Sequence, residues 1–183
     1  MILAANTTWY VARAGGMLAF TLLTASVVLG LFLSRRDHFE GWPRFALEDV
    51  HRFVGLLAGT FIAVHGGSLL LDGYLPFSLT NLVVPFTAPY RPLAVSAGVV
   101  AAELLVALAV TNHYRDSLPY GFWRRAHYLN FVVWLLALAH GIFAGTDTTT
   151  PWGMALYLAS AALVGALVAG RFMPAPRPAR HPG

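Results

Sequence analysis

Four histidines stand out because they fall into two pairs of nearly equal spacing. His51 and His65 are 14 residues apart, and His127 and His140 are 13 apart. All four lie in apolar stretches, where an ionisable side chain is costly and usually functional. At about 1.5 Å per residue, these spacings span about 21 Å and about 20 Å of helix. Two parallel helices would bring His51 level with His127, and His65 level with His140.

This arrangement is what two stacked haems need, because each iron can take one axial imidazole from each helix. Two haems at different depths would form a path for electrons through lipid. One alternative is that the histidines are structural and bond to backbone carbonyls. Another is zinc or copper binding, although ligands about 20 Å apart on one helix cannot share an ion. The other histidines, His38, His113 and His181, are expected to be solvated.

The angular spacing differs between the two pairs. At about 100° per residue, 14 steps fall about 40° short of four turns, so His51 and His65 can share a helix face. Thirteen steps fall about 140° short. We therefore predict that a kink or overwinding between His127 and His140, or a difference in ring orientation, absorbs the mismatch.

Five apolar runs must position these residues, and each is long enough to cross a membrane. They lie at about 10–33, 48–71, 93–112, 123–144 and 152–172. The sequence thus predicts an all-α integral membrane bundle, with haem b between the second and fourth helices. Residues 1–173 form the membrane domain, and 174–183 a disordered cytoplasmic tail. The link 72–92 is too proline-rich to span, and an interfacial or re-entrant segment is expected.

Composition supports a membrane protein. Hydrophobic residues make up 57% of the 183 and charged residues 11%, against about 25% charged in soluble domains. The chain has no cysteine, which excludes disulfides, iron–sulfur clusters and covalently attached c-type haem. Its 12 basic residues are all arginines. Most of them lie near the ends of apolar runs, so they indicate membrane topology and not nucleic-acid binding.

The arginines predict the orientation. The links after the first, third and fifth runs are rich in arginine, whereas the opposite side has only Arg91 in a link and Arg13 within the first run. The positive-inside rule places the N-terminus outside and the C-terminus in the cytoplasm of a bacterial inner or plasma membrane. No basic residue precedes the first run, so we expect a retained helix and not a cleaved signal.

Several charged residues are candidates for contacts to a cofactor. Arg52 and Arg125 adjoin the histidines on the cytoplasmic side and could pair with haem propionates. Arg13 and Arg91 could do the same on the outer side. Simple topological anchoring is the alternative for Arg52 and Arg125, whereas Arg13 and Arg91 break the positive-inside pattern. Glu103, in the middle of the third run, could serve protons, quinone or a structural hydrogen bond.

Two pairs of glycines and one loop are weaker candidates for contacts to a cofactor or to an electron acceptor. Gly55 and Gly59, and Gly141 and Gly145, are spaced four apart and could admit a macrocycle, although ordinary helix packing explains this spacing better. The loop containing Asp147 could bind an electron acceptor.

The chain resembles the ferric reductase-like transmembrane domain family. That family includes ferric reductases, the membrane domain of NADPH oxidases, and the haem subunit of a periplasmic methionine sulfoxide reductase system. The resemblance covers about 9–172 and rests on short motifs together with the histidine spacing. The motifs are WYVARAGG from Trp9, HRFVG from His51, YRPL from Tyr90, RRAHY from Arg124 and HGIFAGTD from His140.

The resemblance implies that His51 and His127 ligate an inner haem b, His65 and His140 an outer one, and that electrons flow outward. Two haems are expected, or one as in some relatives. Members commonly have six helices, and here we count five. We expect no flavin or nicotinamide domain after the last helix, so the donor would be a separate protein or quinol. The acceptor would be extracytoplasmic, and lipid would be the other partner.

Three functions compete at this point. The first is an oxidoreductase-type haem subunit that transfers electrons across the membrane. The second is a non-catalytic assembly subunit of a larger membrane complex, which would bind no haem. The third is a small proton-coupled transporter, which the lack of discontinuous helices or inverted repeats disfavours.

Overall fold

The computed structural model describes residues 2–35, 42–73, 75 and 77–172, and over these ranges the chain is built from helices. The bounds are α1 Ile2–Arg35, α2 Arg44–Leu70, α3 Leu79–Val83, α4 Pro92–His113, α5 Tyr120–His127, α6 Asn130–Ala144 and α7 Pro151–Ala169, with a 3-10 turn at Arg115–Ser117. The predicted all-α class is confirmed for the described part. The predicted tail 174–183 and the histidines His38 and His181 lie outside it.

Five stretches of helix are long and apolar enough to cross a membrane. They are Thr7–Ser34, Arg44–Leu70, Pro92–His113, Tyr120–Ala144 and Pro151–Ala169. The shortest has 19 residues, and at about 1.5 Å per residue it is about 28 Å long, close to the hydrocarbon thickness of a bilayer. The number and order of the predicted runs are confirmed, and the chain is an integral membrane protein.

The fourth span is two helices joined by a tightened turn. α5 ends at His127, and α6 begins three residues later. At the junction, the amide of Leu129 donates to the carbonyl of Ala126 at 2.9 Å, and the amide of Phe131 makes a second bond of the same three-residue kind. Bonds over three residues have 3-10 geometry, which overwinds the chain relative to an α-helix. Overwinding, one of the three predicted ways to absorb the mismatch between His127 and His140, is therefore present at this junction.

α1 is the central helix of the bundle. It packs along α2 and also contacts α6 and α7, while α4 packs along α6. At the centre, the ring of Phe20 lies 6.4 Å from that of Trp134 and 5.3 Å from that of Tyr157. The Trp134 indole N–H donates to the Thr24 hydroxyl at 3.0 Å, so this buried donor is satisfied. These contacts fix α6 and α7 against one side of α1.

The link between α2 and α4 folds back onto the bundle without spanning it. α3 has only five residues, and Ser78 and Asn81 close a capping box at its start. Phe77 and Ala88 are buried in a small apolar cluster with residues of α4, including Val95. The link is too short to span, as predicted, and it closes one end of the space between α2 and α4.

Candidate functional site

The structure brings the four predicted histidines together in the two predicted pairs. The ring centres of His51 and His127 are 6.1 Å apart, with an angle of 70° between the ring planes. The ring centres of His65 and His140 are also 6.1 Å apart, at 71°. The two pairs involve different helix segments, yet they have the same geometry.

This separation fits a metal held between two imidazoles. A metal–nitrogen bond is about 2 Å long, and a ring nitrogen lies about 1.1 Å from its ring centre, so two opposed ligands place the ring centres about 6 Å apart. A haem iron offers two such axial positions on opposite faces of the porphyrin. The donor set and spacing of each pair therefore fit a haem with two histidine ligands.

Three of the four rings donate a hydrogen bond from Nδ1 to a backbone carbonyl on a neighbouring helix. These bonds are His51 to Ser26 at 3.0 Å, His65 to Ala12 at 2.7 Å and His140 to Ala94 at 2.9 Å. A carbonyl oxygen can only accept, so Nδ1 carries the hydrogen in each case. In the neutral ring this leaves the lone pair of Nε2 free to bind a metal, and it fixes the orientation of the ring.

A glycine makes room for each of these three rings. It lies four residues after the residue whose carbonyl accepts the bond. A Cβ at Gly98 would lie 2.7 Å from His140 Nδ1, at Gly16 3.0 Å from His65 Nδ1, and at Gly30 3.4 Å from the His51 ring. Sequence reasoning singled out other glycines. Of those, Gly141 admits the ring of Tyr157, which confirms the helix-packing alternative at that position.

His127 is held differently. Its ring stacks on the Trp123 indole, with 5.2 Å between ring centres and 26° between the planes. Among the described residues, no backbone carbonyl accepts a bond from its ring. Trp123 precedes His127 by one helical turn and was not among the predicted site residues. The orientation of His127 therefore depends on its own helix and not on a neighbour.

The His65–His140 pair lines a mostly apolar cavity of about 340 Å³. Both α2 and α6 contribute to its walls, through residues such as Ile62 and Ala137. These two helices are not among the pairs that pack closely in the described part of the chain. They instead face each other across the cavity that the His65–His140 pair lines.

An ion pair lies at one end of this cavity. Both carboxylate oxygens of Asp147 accept from the Arg13 guanidinium, and the Nε bond measures 3.0 Å. Asp147 is buried, whereas the Arg13 side chain is one-third exposed. The pair ties the loop between α6 and α7 to α1. Asp147, predicted as part of an acceptor-binding loop, is thus engaged within the protein.

The remaining predicted arginines lie at the two ends of the bundle. Arg52 pairs with Asp49 at 3.6 Å, and Arg125 is exposed on α5. At the other end, Arg91 donates to the carbonyl of Phe143 at 2.6 Å. None of these contacts involves a histidine ring.

Glu103 is exposed on the outer face of α4. It therefore lies outside both histidine pairs and does not line the cavity. His113, predicted to be solvated, is exposed at the end of the same helix.

Neither pair forms part of a larger ligand cluster. No group of three or more His, Asp or Glu side chains suited to a metal ion occurs among the residues the structure describes. Structural zinc sites normally use four protein ligands, and catalytic ones use three. Two imidazoles on opposite sides of a gap suit an axially coordinated macrocycle better than a bare ion.

Comparison with known proteins gives one match. A family model described as ferric reductase like transmembrane component matches residues 15–138. The matched region contains His51, His65 and His127 and ends two residues before His140. No curated protein and no solved structure matches the chain.

Proposed function

The chain belongs to the ferric reductase like transmembrane component family, and from that premise we propose that it transfers electrons across a membrane through b-type haem. One observation carries the proposal, namely the equal separation of 6.1 Å in both histidine pairs. Haem iron would supply one-electron chemistry by cycling between its ferric and ferrous states. Each histidine pair would hold one haem, so two haems are proposed.

The surroundings of the pairs suit this role. The carbonyl bonds to His51, His65 and His140 set the ring orientation before any cofactor binds, which lowers the ordering cost of ligation. The mostly apolar walls of the cavity would disfavour the entry of water and ions. The chain would thereby provide a path for electrons and a barrier to ions in the same bundle.

We propose that the two ends of the bundle have different roles. The end bearing Arg52 and Arg125 would be cytoplasmic, because arginine-rich ends remain inside. Electrons would enter there from a separate donor protein or a quinol and leave at the end bearing Arg13 and Arg91 toward an extracytoplasmic acceptor. The exposed arginines would pair with haem propionates. Arg13 would do so while keeping its ion pair with Asp147.

The decisive experiment is a pyridine haemochrome assay on the purified protein. We expect a haem-to-protein ratio of about two, falling to about one in His65→Ala. The matched control is His113→Ala, which removes an exposed histidine outside both pairs. A ratio near one in the wild type would reduce the proposal to a single haem. A ratio near zero would overturn it and favour the alternative of a structural subunit in a larger membrane complex.

A further inference from the structure

Glu103 lies deeper in the membrane than any other Asp, Glu or Arg of the described spans. It is eleven residues from Pro92 and ten from His113, the two ends of its span, which places it about 15 Å from the nearer end. The other Asp, Glu and Arg residues of the described spans lie eight residues or fewer from an end. In a hydrocarbon core about 30 Å thick, Glu103 therefore lies near the middle.

The Glu103 side chain points away from the bundle. It is exposed on α4, and it has no hydrogen bond or ion pair within the described part of the chain. α4 packs along α6, and its residues Ala101 and Leu108 are buried in the central core. At about 100° per residue, Glu103 lies about 160° and about 140° around the helix axis from these two residues. The carboxyl group therefore faces lipid or another protein.

Lipid alone would leave this carboxyl group without a hydrogen-bond partner. Polar groups in hydrocarbon are costly unless they are paired, and intramembrane acids almost always face protein or a water-filled cavity. An ionised carboxylate is far more costly to bury than the neutral acid, so the neutral acid is the form that must be paired. It has an O–H donor and a carbonyl acceptor, so two such groups can satisfy each other.

A second copy of the chain supplies the matching group. The chain has no lysine, and each arginine of the described spans lies nearer to a span end than Glu103 does. All copies in one membrane have the same orientation, so a two-fold axis along the membrane normal brings the same residue of two copies together at equal depth. We propose that two copies pack α4 against α4, with their Glu103 carboxyl groups hydrogen-bonded across this axis. The inference does not depend on haem binding.

The surface around Glu103 suits close packing of two helices. Ala107 and Val110 follow Glu103 by four and seven residues, the spacing of side chains that share a helix face. Both are exposed, and the exposed fraction of Val110 is 53%. Small residues such as alanine let two membrane helices approach closely, and polar side chains between them add hydrogen bonds. We refer to these three residues as the α4 face.

The first test measures association of the purified full chain in lipid vesicles. Copies labelled with donor and acceptor dyes are diluted with lipid, and energy transfer gives the dissociation constant of the dimer. Glu103→Ala should weaken the dimer about 3- to 30-fold, the range for polar contacts between membrane helices. Glu103→Gln should weaken it less, because the amide keeps a donor and an acceptor.

The matched control for this test is Glu48→Ala. It removes an exposed carboxyl group near the start of α2 and should leave the dissociation constant unchanged. A monomeric wild type, or a Glu103→Ala dimer as strong as that of the wild type, would overturn the inference. Equal losses in Glu103→Ala and Glu103→Gln would also overturn it, because a pair of neutral acids should tolerate the amide.

The second test uses the absence of cysteine from the chain. A single Val110→Cys substitution places a thiol on the α4 face, and a membrane-permeant oxidant such as copper phenanthroline should join two copies by a disulfide. Adding Glu103→Ala should reduce the yield. The matched control is Leu163→Cys on α7, where the exposed fraction is a similar 48%, and it should give little cross-linked product. Equal yields from the two thiols would indicate random collision and overturn the inference.

Other occupants of the α4 face would give different results. A monomeric wild type that forms a stoichiometric complex with another membrane protein, lost in Glu103→Ala, would replace the second copy by that protein. A monomer whose electron transfer is lost in Glu103→Gln would assign the carboxyl group to proton or quinone chemistry. Either result would overturn the inference. The haem-to-protein ratio should be unchanged in Glu103→Ala, so failure of haem binding and failure of dimerisation are distinguishable.

Discussion

The two histidine pairs have the same ring separation but are held in different ways. In the His65–His140 pair, both rings donate to carbonyls of neighbouring helices and both lie against a glycine. In the other pair only His51 does so, and His127 rests on Trp123. The spacing of a ligand pair and the rigidity of its support are therefore separate properties.

The reason lies partly in the sequence of α4. The acceptor and glycine that serve His140 are Ala94 and Gly98. On α4, a comparable glycine for His127 would lie about 14 residues after Gly98, which is the spacing between His51 and His65. That position is occupied by Asn112. The imidazole of His127 cannot pack against the backbone of α4 at a position that carries a side chain larger than that of glycine. His127 is supported from within its own span instead.

The largest difference between the pairs should come from Gly98→Ala. The added Cβ would meet three atoms of the His140 ring at 2.7–2.9 Å, closer than packed atoms approach, so the ring must move. We expect the haem-to-protein ratio to fall from about two to about one. Gly165→Ala is the control, because a Cβ there meets nothing within 4 Å. Full haem content in Gly98→Ala would mean that the ring has freedom the glycine does not limit.

Asp147→Asn should have the next largest effect. The substitution turns one acceptor of the Arg13 guanidinium into a donor and leaves a partly buried cation beside the cavity. Removing one partner of a buried, hydrogen-bonded pair costs up to about 3–5 kcal/mol, and partial exposure of Arg13 reduces this to about 1–3 kcal/mol. Thermal unfolding in detergent measures the loss.

The control for Asp147→Asn is Glu48→Gln. It disrupts the exposed Arg44–Glu48 pair on α2, which is worth about 0.5 kcal/mol or less. Equal effects of the two substitutions would show that the buried pair does not stabilise the end of the bundle bearing the His65–His140 pair.

The remaining two glycines allow a graded comparison. A Cβ at Gly16 would lie 3.0 Å from the His65 ring, and at Gly30 it would lie 3.4 Å from the His51 ring. Gly16→Ala should therefore weaken haem binding several-fold, and Gly30→Ala should weaken it less, because its contact is near ordinary van der Waals range. Reconstitution titrations against the Gly165→Ala control measure both. The reverse order would mean that the His51 ring is the more constrained.

The sequence predicted the five membrane spans and the pairing of the four histidines. Both predictions depend on patterns along single helices, namely apolar runs and the spacing of histidines. Apolar runs report directly on membrane helices, and the 13-residue spacing between His127 and His140 predicted a kink, overwinding or a difference in ring orientation in the fourth span. The location of the overwinding after His127 was not predictable, since the residues there carry no glycine or proline signal.

The supports of the rings were missed because they belong to other helices. Gly16 and Gly30 are 14 residues apart, the same spacing as His51 and His65, and this shared interval was the available signal. The bond between Arg13 and Asp147 joins residues 134 positions apart. No local pattern reports on such a contact.

The smallest expected effect is a difference in potential between the two haems. A hydrogen bond from Nδ1 raises the basicity of an imidazole ligand, and a more basic ligand favours ferric iron. The His65–His140 haem would have two such ligands and the other haem one.

Burial of the His65–His140 pair in its apolar cavity opposes this difference, because a low dielectric disfavours the extra positive charge of ferric iron. We expect the effect of the Nδ1–carbonyl bonds on the midpoint potential to exceed the opposing effect of burial. The net difference between the two potentials should be less than about 59 mV, which for one electron corresponds to a ten-fold change in an equilibrium constant. Potentiometric titration of the wild type should give two steps. Gly98→Ala, which is expected to keep only the proposed His51–His127 haem, should give a single step that matches the higher of the two. A match to the lower step would mean that burial outweighs the carbonyl bonds.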